Sequence, residues 1–412
     1  MRKLVDRGID WVGAVPENWQ FKKGKYLFQQ RSERGNTIAL QLLSPTQKFG
    51  CIPQELYEEL TGANAVKLNE KTDLNLLKTI HCGDFCISLR SFQGGFEYST
   101  YEGVVSPAYQ VFYPLHDNVY RDYYKYMFKD GAFINKMNSF TLSLRDGKNI
   151  AFADFGNTLL PLPSVAEQRV IADYLDKKTS EIDAAIKEAQ ELIEKYKAYK
   201  QSVITEAVTK GLDPQVPMKD SGVEWIGEIP EGWNKCRLKY LCEITTGNED
   251  TQNADPDGEY PFYVRSPLIE RCKRYTFDGE GILIAGDGAG AGRIFHHVFG
   301  KYAVHQRVYR LYNFKITTSY LHYYLSSIFP NEMDRGSAQS TVPSMRLPML
   351  LNFNILIPSN SEQQSIANYL DNKCAQIDSV ISEKENLITQ LQEYKKSIIF
   401  EYVIGKKEVP NG

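Results

Sequence analysis

The stretch of this 412-residue chain best placed to do chemistry is Ala285-Gly286-Asp287-Gly288-Ala289-Gly290-Ala291-Gly292-Arg293, directly after an apolar run that reads as a strand. Glycine loops in that position cradle nucleotide phosphates or S-adenosylmethionine. The spacing here does not match. A G-x-G-x-x-G begun at Gly286 needs glycine where Ala291 stands, and one begun at Gly288 needs it where Arg293 stands. No Gly-Lys-Ser/Thr completes a Walker loop. The following Arg293-Ile294-Phe295-His296-His297-Val298-Phe299-Gly300 reads as a strand, not as a helix whose first amides would meet a phosphate. The run reads better as a glycine-rich turn that lets backbone approach another surface.

Other catalytic patterns also fail. An amino-group methyltransferase would carry Asn/Asp-Pro-Pro-Tyr/Phe, but Asp213-Pro214 and Asp255-Pro256 continue with Gln and Asp. Asp255-Pro256-Asp257 is weakly like a nuclease core, yet Glu270 is followed by Arg271, Cys272 and Lys273, so no Glu-x-Lys completes it. His296 and His297 alternate on a strand and cannot both enter one zinc site. The seven cysteines are scattered without Cys-x-x-Cys or zinc spacing and read as reduced packing thiols. The chain therefore reads as non-catalytic, with no cofactor or metal of its own.

What remains is polar recognition chemistry on loops. Arg90, Ser91 and Gln93 follow a strand-like run, and Arg145, Lys148 and Asn149 surround a glycine. Further along come Arg265, Lys273, Arg274, Arg293, Gln306, Arg307, Arg335, Gln339, Ser340 and Arg346. Arg, Gln and Asn suit base edges in the DNA major groove, while Lys and Ser suit phosphates.

These loops need a frame, and the chain writes its frame twice. Gly8-Ile9-Asp10-Trp11-Val12-Gly13-Ala14-Val15-Pro16-Glu17-Asn18-Trp19 returns 214 residues on as Gly222-Val223-Glu224-Trp225-Ile226-Gly227-Glu228-Ile229-Pro230-Glu231-Gly232-Trp233. Pro163-Ser164-Val165-Ala166-Glu167-Gln168 returns 195 residues on as Pro358-Ser359-Asn360-Ser361-Glu362-Gln363. The change of offset places the divergence between the two motifs, in inserts at about 20–158 and 234–353. After each second motif runs a helical pattern of roughly 40 residues, or about 60 Å. Its apolar seam includes Ile182, Ile186, Ile193, Tyr196, Tyr199 and Val203, and in the copy Ile377, Ile381, Ile388, Leu391, Tyr394 and Ile398. Ser164-x-x-Glu167 and Ser359-x-x-Glu362 read as matching capping boxes. Seams this long predict that the two helices pack on each other, antiparallel, as a spacer.

Both inserts read as β-rich with short helices. Residues 84–89, 104–105 and 111–113 in the first, and 281–285, 302–304 and 308–312 in the second, carry strand patterns. Aromatic helices are predicted at 120–128 and 319–328, and their likeness points to common ancestry. With 42% hydrophobic and 24% charged residues, the composition is that of an ordinary globular protein. No apolar run reaches the roughly 20 residues that span a bilayer, and the N-terminus has no apolar signal core, so a cytoplasmic location with no membrane partner is expected. The net charge of −3 argues against a freestanding nucleic-acid binder but allows local basic faces and a partner that shares phosphate neutralisation.

The frame carries a resemblance. Thr209-Lys210-Gly211-Leu212-Asp213-Pro214 with Met218-Lys219-Asp220-Ser221-Gly222 through Trp233 resembles the central conserved region of type I restriction-modification specificity subunits. Pro-x-x-x-Glu-Gln followed by Ile-Ala-x-Tyr-Leu-Asp, at 171–176 and 366–371, is similar to that family's helix entry. The resemblance spans nearly the whole chain; the N-terminal frame is a shortened copy. It implies an α+β fold with a pseudo-twofold repeat. Target recognition domains fall at 1–160 and 223–356, the long helices at 161–210 and 357–407, a linker at 211–222 and a tail at 408–412. It further implies that each recognition domain reads one half of a bipartite, asymmetric site in double-stranded DNA. By the same resemblance the helices would measure the gap and dock two modification subunits, which hold S-adenosylmethionine and methylate adenine. Restriction/translocase subunits with ATP and Mg would then join for host defence. Two other readings stay open: a coiled-coil interaction protein with two β-rich protein-binding modules, and a standalone methyltransferase.

Overall fold

The structure is a computed structural model that describes residues 2–35, 40–63, 73–87, 95–140, 150–223, 226–336 and 343–410, without the side chains of residues 335 and 336. It divides into two compact units: residues 1–188 with 387–412, and residues 189–386.

In the first unit the frame motif is a hairpin, with Leu4–Asp6 antiparallel to Ala14–Pro16. The chain then enters its insert through Gln20–Lys23 and leaves through Leu159–Leu162, which pair with each other. Between them, four antiparallel strands stand in the order Phe28–Gln30, Gln110–Pro114, Phe85–Ile87, Phe96–Tyr98. Alternation along these strands sends Phe28, Phe85, Phe96 and Phe112 to one face, where they meet Phe128, Phe133 and Phe155 in a fully buried aromatic core. Phe85 stacks on Phe112 at 5.4 Å and Phe28 meets Phe112 edge-on at 5.5 Å, geometries worth about 0.5–1.5 kcal/mol per pair beyond area burial. The short aromatic helix is Arg121–Met127.

The second unit repeats the plan. Met218–Asp220 pairs with Glu228–Pro230, so part of the expected linker is a strand of the frame hairpin. Asn234–Arg237 pairs with Asn354–Ile357. Glu243–Thr246, Val308–Tyr312, Gly281–Ala285 and Phe295–Val298 form a four-stranded antiparallel sheet of the same order as in the first unit. A second sheet holds Ile269–Cys272, Tyr260–Tyr263, Lys301–Val304 and Phe277–Asp278, with a parallel pairing between the middle two. The first insert follows the same plan: Leu43–Thr46 pairs with Gly50–Pro53 and Lys78–Ile80 with Gly103–Val105, and a parallel bridge from Leu42 to Val104 links the two pairs. The aromatic helix, Thr318–Gly336, outruns its predicted end and passes through Pro330.

The long helices are Val165–Lys210 and Asn360–Val403. Within each unit a stretch of one runs antiparallel to a stretch of the other. In the first unit Asp183 pairs with Lys395 at 2.6 Å, and the rings of Tyr174 and Tyr402 meet at a tilt with centroids 4.6 Å apart. In the second, Lys200 pairs with Asp378 at 2.6 Å, and Lys373 lies over Tyr199. Ile182, Ile193 and Ile377 are buried, and Ile186, Tyr196, Ile381, Ile388 and Leu391 are half-buried. Tyr199 and Tyr394, which the periodicity places in the seam, are about half exposed instead. A tyrosine can lie along a helix with its ring edge in solvent, which hydropathy counting does not register.

Candidate nucleic-acid interface

Each frame is assembled by polar contacts between its two motifs. The Trp19 indole donates to Glu167 at 3.0 Å, and Trp233 donates to Glu362 at 3.3 Å. The neighbouring glutamines are buried. Gln168 accepts from the backbone N–H of Tyr120 at 2.7 Å and donates to the carbonyls of Asn118 and Pro163, whereas Gln363 accepts from Thr317 and donates to Pro358. The glutamines thereby fix where each aromatic helix begins. Those helices answer in kind: Tyr126 and Tyr323 donate to Asp176 and Asp371, the acid of each helix-entry motif. The second capping box is complete, with Ser359 and Glu362 bonded reciprocally. The first is half a box: Ser164 accepts from the Glu167 N–H, but the Glu167 carboxylate is drawn to Arg2 and Trp19. The N-terminal guanidinium out-competes a backbone amide for that charge.

On this frame the second insert brings four segments together. The glycine loop turns back tightly, and the amides of Gly286, Ala291, Gly292, Arg293 and Ile294 are spent on backbone carbonyls. It opens onto the strand Phe295–Val298, so it does not offer a phosphate free amides at a helix start. Gly286 donates to the Arg307 carbonyl at 2.8 Å, and a Cβ there would fall 2.7 Å from that oxygen. Close backbone approach is what the glycine provides. Met345 donates to the Gly286 carbonyl, and Asp287 bridges Ser344. The turn His305-Gln306-Arg307 therefore lies beside the loop, with Arg265 on a third segment and Arg346 on a fourth. Arg265 reaches Asp287 at 3.1 Å, Arg307 approaches the other oxygen of Asp287 at 3.8 Å, and Gln306 donates to Asp250 at 2.8 Å. Beneath the turn, the buried His305 accepts the Arg307 N–H on Nδ1 at 3.0 Å, and burial holds its imidazole below the usual range. An open cavity of about 430 Å³ borders Arg265, Asp287 and the glycines.

The other sequence candidates sit elsewhere. Lys273 pairs with Asp255 at 2.7 Å. Arg274 grips Glu249 with two bonds, 2.9 and 3.1 Å; its own side chain is exposed while that carboxylate is buried, so Arg274 is committed to neutralising an interior charge. Arg293 pairs with Asp334 on the aromatic helix. Arg90, Ser91, Gln93, Arg145, Lys148, Asn149, Gln339 and Ser340 lie outside the described residues, as does the side chain of Arg335. Sequence reasoning missed the carboxylates Asp250 and Asp287, because nothing in local spacing links an acid to a base two strands away. It also missed Arg31, which lies across Tyr113 at 4.4 Å and is bonded twice to the buried Asp84. Among the described residues, no cluster of three metal-type ligands occurs and no helix is long and apolar enough to cross a membrane.

Comparison with known proteins converges on one group. Residues 16–195 and 230–390 match the family model described as type I restriction modification DNA specificity domain. The type I restriction enzyme EcoDI specificity subunit of Escherichia coli is 28% identical over 173 residues, 42% of this chain and only 38% of the length of that protein. The MjaVIII specificity subunit of Methanocaldococcus jannaschii is 28% identical over 301 residues, 66% of this chain and 68% of its own. Among solved structures, a chain from work on complex assembly and conformational transition of the type I R-M system superposes with a TM-score of 0.69 at 16% identity, covering 94% of this chain and 98% of that one. The HsdS subunit from Thermoanaerobacter tengcongensis gives 0.52 at 16% identity, covering 95% and 98%. At these identities the structural likeness is one of fold.

Proposed function

Since this chain belongs to the type I restriction modification DNA specificity domain family, we propose that it is the non-catalytic subunit that reads a bipartite, asymmetric site in double-stranded DNA for its partners. Two modification subunits with S-adenosylmethionine would methylate adenine at that site, and restriction/translocase subunits with ATP and Mg would cut where the mark is missing. The observation that carries this reading is the repeated frame holding two inserts that share a sheet plan but differ in sequence and length. One frame type presents two surfaces, and unlike surfaces suit unlike half-sites; identical ones would suit a palindrome.

In the second insert, the residues proposed to reach base edges are Arg265, Gln306, Arg307 and Arg346, with Lys273 and Arg293 at the backbone. The described pairs of Arg265, Lys273 and Arg293 have exposed partners or exposed cations. Such pairs exchange at little cost, so DNA can recruit those cations when it arrives. In the first insert the proposed contacts are Arg90, Ser91, Gln93, Arg145, Lys148 and Asn149. The net charge of −3 leaves much of the phosphate neutralisation to the modification subunits.

The test is single-molecule methylome sequencing of cells expressing this chain with its modification subunits. An asymmetric bipartite N6-methyladenine motif is expected, and exchange of residues 234–353 should alter one half only. An intact complex that yields no motif would favour a protein-binding role for the inserts.

A further inference from the structure

Two carboxylates of the second insert are each bonded to a side chain that could read a base: Asp287 to Arg265 and Asp250 to Gln306. We propose that Asp287 and Asp250 are positioning residues that aim Arg265 and Gln306 at guanine and adenine edges; this rests on the DNA-reading function argued above.

The geometry of Asp287 supports the role. Its backbone is clamped between Gly286, bonded to both Arg307 and Met345, and the bridge to Ser344. One oxygen takes a single N–H of Arg265 at 3.1 Å, while the other faces Arg307 at 3.8 Å. A guanidinium has five N–H donors in a rigid plane. With one of them held, the guanidinium is restrained and other donors are left for O6 and N7 of guanine. The carboxylate also offsets the mutual repulsion of two guanidiniums drawn to one spot.

Asp250 is organised in the same way. It caps a short turn through a reciprocal capping box with Asn253, in which one carboxylate oxygen accepts from Gln252. The other oxygen accepts from Gln306 at 2.8 Å. Because an ionised carboxylate only accepts, it sets which end of the Gln306 amide is NH2. That leaves one N–H and the amide oxygen in the arrangement that matches N7 and N6 of adenine. Each carboxylate would also repel phosphates, so it disfavours binding that lacks the correct base.

The experiment uses the full complex with its modification subunits and measures methylation of duplexes altered one base pair at a time. D287N should reduce discrimination about tenfold at one G·C pair of the half governed by residues 234–353. D250N should do so at one A·T pair of that half. The other half keeps its discrimination in both variants, which also reports an intact fold. D287E should recover most of the loss. Equal weakening at every position, or unchanged discrimination, would overturn the proposal. If R265A and exchange of residues 234–353 also leave both halves unchanged, the DNA-reading function itself falls, and the positioning role with it.

Discussion

Trp19 donates its indole N–H to the Glu167 carboxylate at 3.0 Å, joining two sequence motifs that repeat with different offsets. Its counterpart, Trp233 to Glu362, recurs although the tryptophans lie 214 residues apart and the glutamates 195. Whatever length each insert takes, its two ends are returned to the same hydrogen bond.

Loss of that bond should be mild, because both carboxylates keep a second partner. W19F and W233F, at buried rings, should each cost about 1–3 kcal/mol in urea denaturation, from the lost bond together with the space the smaller ring leaves. E167A should cost more than E362A, since it strands Trp19 and leaves the mostly buried Arg2 with Glu408 alone, at 3.4 Å. Equal losses for the two glutamates would show that Glu408 alone satisfies Arg2.

The pairs Asp183–Lys395 and Lys200–Asp378 occupy equivalent positions in the repeat and fix the antiparallel register of the long helices within each unit. They are partly exposed, so a double-mutant cycle on K200A and D378A should give a coupling of about 0.5 kcal/mol that shrinks in 1 M salt. A coupling that survives salt would mean the pair is more desolvated than its exposure suggests.

Arg274 and Lys273 are neighbours in sequence with opposite roles. K273A should leave the melting temperature unchanged. R274A should lower it, because it leaves the Glu249 carboxylate buried without its cation. If R274A instead only weakened DNA binding, the arginine would be a reader and the pair incidental.

Acid should destabilise the second unit through histidine. Burial pushes His322 down to about 4, with His297 and His296 adding to the effect. A histidine whose folded pKa lies below its unfolded 6.5 is neutral when folded, so its share of stability is complete above pH 6.5 and is lost as pH falls toward 4. For His322 that share is at most about 3 kcal/mol. Melting curves from pH 7 to 4 should therefore fall less steeply for H322N than for the parent chain. Parallel curves would remove His322 from the explanation.

The sequence was most legible where it repeats. The strands at 281–285 and 308–312 and the long helices are set by local periodicity, and local rules reach them. Capping boxes are local too, yet the first was only half right, because Arg2 approaches from 165 residues away. The polar cluster around Asp287 and Asp250 was legible as residue types only. Arg265, Gln306 and Arg307 were visible, but their meeting at Asp287 and Asp250 depends on strand pairing that no short window encodes. The second sheet of the second insert was legible only in part: 302–304 read as a strand, but its parallel pairing with Tyr260–Tyr263 joins distant segments.

Each insert leaves the frame by one strand and returns by that strand's hydrogen-bonded neighbour, Gln20–Lys23 beside Leu159–Leu162 and Asn234–Arg237 beside Asn354–Ile357. The two ends are thus held a strand spacing apart, about 5 Å. A doubling of the chain between such ends costs only about 0.6 kcal/mol in closure entropy. The insert is a cartridge in a socket, and recombination at these paired strands can trade one cartridge for another while the socket keeps its bonds. New sequence preferences would then arise by exchange of whole surfaces as well as by single substitutions.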